Sequence, residues 1–329
     1  MPAVSVLRLV SLDWSSIDNH AKSALTTGFQ TVCQLELSED LFQTEDQALE
    51  FIASFPSLTH LTRRCELKFD FVSDVQVPLP RPIPLPGGLK ALDISTDYVE
   101  MFDRLLRLEP HLDLHTLRVD FLDMRDEYVS PVGPLLEFLG PSLESLTFYG
   151  WIDMAWDRTS PNLNESQLLS APSILHQLNR LSLTDLLNGH IINLVQNTNL
   201  RSLTLHCGIF FDWTDDAPYP EYPPSVFWAL SLLSQITSPH VSEIKLRMEV
   251  CGPAALSRMD WPRLDEILSQ PLWRHSLKRI VVDIIQPSYV LLDASDLDRI
   301  RLSLPAISTI PSVSLTIAST KLSEEDGYV

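Results

Sequence analysis

Three residues in the segment His111-Leu112-Asp113-Leu114-His115 are of metal-ligating types and fall on alternate positions. Alternate side chains of an extended chain share a face, so His111, Asp113 and His115 would converge there. A structural metal site wants a fourth ligand and a supporting second shell, whereas this segment leads straight into an apolar strand pattern. Solvated polar residues on an outward face are the expected result, and no metal is expected. A second cluster, Asp212, Asp215, Asp216 and Glu221, sits among Phe210, Phe211, Trp213, Tyr219 and Tyr222. It lacks the alternating-acid spacing of a calcium loop, and aromatic residues on such an insertion are expected to cover a core edge or touch a partner.

Covalent and cofactor chemistry find no foothold. No serine, cysteine or lysine sits in a nucleophile elbow or paired motif, and the phosphate-cradling patterns GxGxxG and GxxxxGK[ST] do not occur. No catalytic residue and no cofactor is therefore expected. The alternative is a hydrolase-like enzyme whose residues are assembled on an α/β scaffold from distant positions. Cys33, Cys65, Cys207 and Cys251 form no CxxC pair, which fits a reduced compartment. The first residues show no signal-peptide pattern. The longest uncharged stretch, residues 222–242, holds only about eleven mainly apolar residues, against the roughly 20 that a spanning helix requires. A cytoplasmic or nuclear location is expected. The net charge of −19 should repel nucleic acid and anionic membranes alike, so neither is expected as a partner.

What organises the chain is leucine, 56 of its 329 residues, in a recurring pattern of three apolar positions, LxxLxL. It occurs as VSVLRL at Val4, VCQLEL at Val32, LKALDI at Leu89, LHTLRV at Leu114 and LESLTF at Leu143. It continues as LNRLSL at Leu178, LRSLTL at Leu200, VSEIKL at Val241 and LKRIVV at Leu277. Weaker copies are LTHLTR at Leu58, where Arg63 takes the last apolar place, and IPSVSL at Ile310. The period averages about 31 residues, slightly longer than the usual leucine-rich repeat. In a strand, the second and third apolar residues point inward together while the residues between them point out. One strand cannot bury that face alone, but stacked copies share a continuous core.

Segments between the copies carry helical spacing: 42–55 with Thr44 as N-cap, 98–108, 132–139, 224–236, 259–268 and 293–302. The proline run Pro78, Pro80, Pro82, Pro84 and Pro86 must be an extended connector ending at Gly87-Gly88. The expectation is an α/β fold: one leucine-rich-repeat solenoid over residues 1–320, with a curved parallel sheet, helices on its convex face and about eleven irregular repeats. An acidic tail, 321–329, would follow.

FPSLTHL (Phe55–Leu61), LGPSLESL (Leu139–Leu146), NTNLRSLTL (Asn197–Leu205), LLSQITSPHVSEIKL (Leu232–Leu246) and WPRLDEILSQP (Trp261–Pro271) resemble the repeat region of the F-box/leucine-rich-repeat families of mushroom-forming fungi. The resemblance covers nearly the whole chain. It implies a non-catalytic role in recognising the substrates of a ubiquitin ligase. No F-box segment of the kind that such proteins place ahead of the repeats is expected within this sequence, because the first copy begins at Val4. Binding to the ligase's adaptor subunit is expected only if an F-box exists upstream.

Solenoids of this kind bind through the concave sheet. The residues before, between and after the inward pair of each copy then form the expected partner surface. Its bases are Arg8, Arg64, Arg118, Arg180, Lys245, Arg247 and Arg279; its acids are Glu36, Asp93, Asp120, Glu243 and Asp283. Arginine and aromatic residues most often anchor interfaces. The expected partner-binding set is accordingly His60, Arg64, Arg118, Tyr149, Arg180, His206, Lys245, Arg247 and Arg279, facing a protein target.

Overall fold

Ten copies of the apolar pattern become ten strands of one parallel sheet, in sequence order from edge to edge. They are β1 (Val6–Val10), β2 (Gln34–Ser38), β3 (His60–Arg64), β4 (Ala91–Ser95) and β5 (Thr116–Phe121). β6 (Ser145–Gly150), β7 (Ser202–Ile209), β8 (Glu243–Val250), β9 (Arg279–Gln286) and β10 (Ser314–Lys321) follow. This computed structural model describes residues 4–38, 44–64, 85–95, 112–121, 132–150, 192–209, 226–250, 259–286 and 292–321, with Phe42, Phe102, Leu105, Leu106 and Leu256. Arg180 and its copy at Leu178, the acidic–aromatic insertion 210–222, the prolines of 78–84, His111, most of the expected helix 98–108 and residues 322–329 lie outside that set.

The register is the one that the pattern dictates. Leu7, Leu35, Leu61, Leu92, Leu117, Leu146, Leu203, Ile244, Ile280 and Leu315 stand side by side across the sheet. From Leu35 to Ile280 none of these is more than 1% exposed. A second row runs two residues further on, from Leu9 through Leu37 and Val119 to Ile317, with Arg63 in the place of the β3 leucine. Burying a leucine side chain contributes roughly 2 kcal/mol, so these rows are the main cohesive element of the sheet.

Backbone bonding repeats with the same period. The N–H groups of Cys33 and Gln34 both donate to the Ser5 carbonyl, and those of Thr59 and His60 to the Cys33 carbonyl. The same paired donation runs from Arg201 and Ser202 to Glu144, and from Lys278 and Arg279 to Ser242. β6 pairs directly with β7, so no strand lies between them, and the described residues form ten strands of the sheet. In the last copy, Ser314 N–H donates to Lys278, which places the first motif position at Ser312 and not at Ile310. A shift of two residues keeps every side chain on its face, so periodicity alone could not detect it.

Seven helices are described: α1 (Asn19–Gly28), α2 (Glu45–Ala53), α3 (Val132–Leu139), α4 (Val226–Gln235), α5 (Trp261–Leu268), α6 (Ala294–Leu302) and α7 (Pro305–Ser308). The expected cap is in place: Thr44 Oγ1 accepts from Gln47 N–H at 3.3 Å. Asp293 closes a reciprocal capping box with Asp296 at the start of α6. Helix α1 was not expected from spacing, and it buries no residue fully. The other helices send apolar side chains into the same core as the leucine rows, among them Phe51, Leu136, Leu233, Leu264, Ile300 and Ile307. They therefore pack on the inward face of the sheet. Consecutive repeats are tied by buried polar groups. Asn197 Nδ2 donates to the carbonyls of Leu136 and Gly140, both at 3.0 Å, and Ser238 Oγ donates to Leu200 at 2.7 Å. Asp265 accepts from the N–H groups of Ala306 and Ile307, both at 2.9 Å, at the start of α7. The final strand includes Lys321, so the fold runs one residue past the expected boundary of the tail.

Candidate functional site

Each strand presents alternate residues on the face opposite the helices, and the register gathers those residues into rows. One row runs Arg8, Glu36, Thr62, Asp93, Arg118, Thr147, Thr204, Lys245, Val281. The next row, two residues further along each strand, includes Arg64, Asp120, Tyr149, His206, Arg247 and Asp283. Of the expected partner-binding residues, Arg64, Arg118, Tyr149, His206, Lys245 and Arg247 come together in this strip. His60 and Arg279 lie in the row at the strand starts, His60 with Nδ1 2.8 Å from Thr59 Oγ1.

Among the described residues, the bases of this face are not free cations. Arg8 Nε lies 2.7 Å from Glu36 Oε2, and Arg279 Nη1 lies 3.2 Å from Glu243 Oε1. Asp93 receives Arg64 at 2.7 Å from one side and Arg118 at 3.5 Å from the other. Asp283 receives Arg247 at 3.3 Å and Lys245 at 3.9 Å, and Thr320 Oγ1 donates to its other oxygen at 2.9 Å. The hub roles of Asp93 and Asp283 were missed in the sequence. The signal was present: Arg8 and Glu36, Asp93 and Arg118, Glu243 and Arg279, and Arg247 and Asp283 occupy identical offsets in consecutive copies. Exposed pairs of this kind contribute about 0–1 kcal/mol each. Their larger effect is to hold long side chains in fixed positions and to neutralise the face.

An aromatic centre lies between the two hubs. The Arg118 guanidinium lies 4.0 Å above the Tyr149 ring, and that ring meets the His206 imidazole edge-on at 5.0 Å. Such cation–aromatic contact is worth about 0.5–2 kcal/mol, more when dry. His206 is 8% exposed. Burial, then the nearby Arg247 charge, lowers its pKa to about 4. One row further on, Glu249 is buried as well, and desolvation raises its pKa.

The His206 shift has a definite consequence for stability. Above pH 6.5 the imidazole is neutral whether folded or unfolded and contributes nothing. Between pH 6.5 and about 4 the unfolded chain takes up a proton that the folded chain refuses. Stability is therefore lost as pH falls through this window, by about 2 kcal/mol at pH 5 from this group alone. Urea titrations at pH 7 and pH 5 should show a His206→Gln variant losing less stability than the parent by that amount; equal losses would place the imidazole in water.

The face offers no nucleophile–base pair in this strip. Cys207 follows His206 directly but points the other way, into the core, where burial raises its thiol pKa to about 12. Asp113 is engaged by Lys90 and, at 3.3 Å, by His115, as an outward surface cluster. Among the described residues no three His, Cys, Asp or Glu side chains are grouped to hold a metal ion. No described helix is long and apolar enough to cross a membrane. No protein-family model matches the chain, and no curated protein does.

Proposed function

We propose that the chain is a leucine-rich-repeat module with no catalytic role that binds a protein target on the concave, outward face of its sheet. The observation that carries this reading is the strip Arg118–Tyr149–His206–Arg247. Four consecutive strands, β5 to β8, each contribute one interface-type side chain to it, and the Asp93 and Asp283 hubs hold its ends. Neighbouring strands lie about 4.8 Å apart, so ten of them span roughly 43 Å, enough for an interface of about 800 Å² per partner. Tyrosine and arginine held in place before binding lose little entropy on contact, which suits them as anchors. The near-neutral charge of this face removes any need for a strongly charged target. By its resemblance to F-box repeat regions, the target would be a ubiquitin-ligase substrate; an adaptor subunit enters only through an F-box segment upstream.

The double variant Tyr149→Ala/Lys245→Ala tests this reading. Affinity for a target captured by the parent protein should fall about 100-fold, as expected for the loss of two central anchors. The melting temperature should stay close to that of the parent. Capture at parental affinity would move the binding site off this strip.

A further inference from the structure

Ion pairs on the outward face are not equally tight. Arg8 and Arg64 hold their acids at 2.7 Å, the length of a charge-assisted hydrogen bond. Arg118 stands 3.5 Å from Asp93, and Lys245 stands 3.9 Å from Asp283. Both separations exceed a hydrogen bond, and both side chains are partly exposed. Among the described residues Arg118 Nε has no hydrogen-bond partner. The Lys245 ammonium and the Arg118 guanidinium therefore keep donors that the two hubs do not use.

These two bases flank one place. In the row Arg118, Thr147, Thr204, Lys245, two short hydroxyl side chains separate two long cationic ones. Tyr149 and His206 stand two residues further along β6 and β7 and wall the resulting hollow on that side, with the Arg118 guanidinium over the tyrosine ring. Three strand spacings, about 14 Å, separate the backbones of Arg118 and Lys245, a gap that two long side chains can close on a small group.

Charge selects the group. After burial, the field of Arg247, Arg118 and Lys245 is what lowers the His206 pKa, and Asp283 alone opposes it. Asp120, beyond Tyr149, interacts with Arg64. Desolvation shifts the buried Glu249 towards its neutral form. Arg64, Arg118, Lys245 and Arg247 set against Asp93, Asp120 and Asp283 leave one positive charge over, the complement of a single carboxylate. A polyanion would instead meet the −19 of the whole chain.

We propose that the hollow over Thr147 and Thr204 receives one acidic side chain, an aspartate or glutamate of the protein target, between Arg118 and Lys245. The inference rests on the proposed binding function and names the chemistry that the target presents to it. The two bases donate to the carboxylate from opposite sides, the threonine hydroxyls donate from below, and the Tyr149 and His206 rings border the aliphatic part of the acid.

Selection of a random dodecapeptide display library on the full chain, followed by fluorescence anisotropy with the synthetic peptides it yields, tests this. The selected peptides should share an acidic residue whose replacement by its amide weakens binding to the parent about tenfold. On the double variant Arg118→Gln/Lys245→Gln the same replacement should cost less than about twofold, because the acid has already lost its partners. Lys245→Gln alone, which breaks no short contact, should show an intermediate cost and serves if the double variant does not fold. Peptides with no shared acid, or an amide replacement as costly on the variants as on the parent, overturn the inference while binding to the strip stands. Peptides that bind Tyr149→Ala/Lys245→Ala as tightly as the parent, or a library that yields none, overturn it together with the proposed binding function.

Discussion

Glu45→Ala is expected to lower the free energy of unfolding by about 2–4 kcal/mol, more than most single changes in a protein of this size. The reason lies in the one place where the apolar rows are interrupted. Arg63 stands in the third apolar position of β3, between Leu37 and Ile94, with 3% of its side chain exposed. Its guanidinium reaches Glu45 Oε1 at 2.6 Å. Glu45 opens α2, where the helix dipole favours a carboxylate. Removing it takes an ionised partner at 2.6 Å from a guanidinium already out of water, while the arginine cannot deprotonate to reduce the penalty. The double variant Arg63→Leu/Glu45→Gln should behave oppositely. It restores the leucine row and removes both charges, so stability equal to the parent, or about 1–4 kcal/mol higher, is expected. Urea unfolding midpoints of the three proteins decide the matter. A Glu45→Ala midpoint equal to that of the parent would mean that Arg63 escapes to solvent.

Why the fold was legible and the site only partly so can be seen in these residues. A leucine at every second and third motif position is a one-dimensional signal, and a parallel sheet with one strand per copy converts it directly into neighbouring rows. Thr44 and Asp293 announce their helices by type and place. Helix α1 does not, because the first repeat buries little of it and no apolar stripe was required. Nor could spacing tell that β6 pairs directly with β7. That pairing rests on the donation from Arg201 and Ser202 to Glu144, residues far apart in sequence.

For the site, residue types gave the bases and acids of the outward face but not which of them pair. The structure supplies the pairing: Asp93 and Asp283 each hold two bases. The burial of His206 depends on its neighbours on both sides, which no single copy contains.

The second large effect is also the most direct test of the central claim, that one face of this sheet is core and the other is for recognition. Leu203 and Thr204 are consecutive residues of β7. Leu203, fully buried, sits between Leu146 and Ile244; Thr204 lies on the outward face between Thr147 and Lys245. Leu203→Asp loses a buried leucine and strands a carboxylate in the core, together costing above about 5 kcal/mol, comparable with the whole stability of many domains. Thr204→Asp places the same carboxylate in solvent opposite an ammonium group, and should change stability by less than about 0.5 kcal/mol. The measurement is a melt and a target-binding titration on both variants. The account predicts that Leu203→Asp has no cooperative melt, and that Thr204→Asp melts like the parent but binds its target at least about tenfold more weakly. A cooperatively folded Leu203→Asp protein, or a Thr204→Asp protein that binds as the parent does, would contradict it.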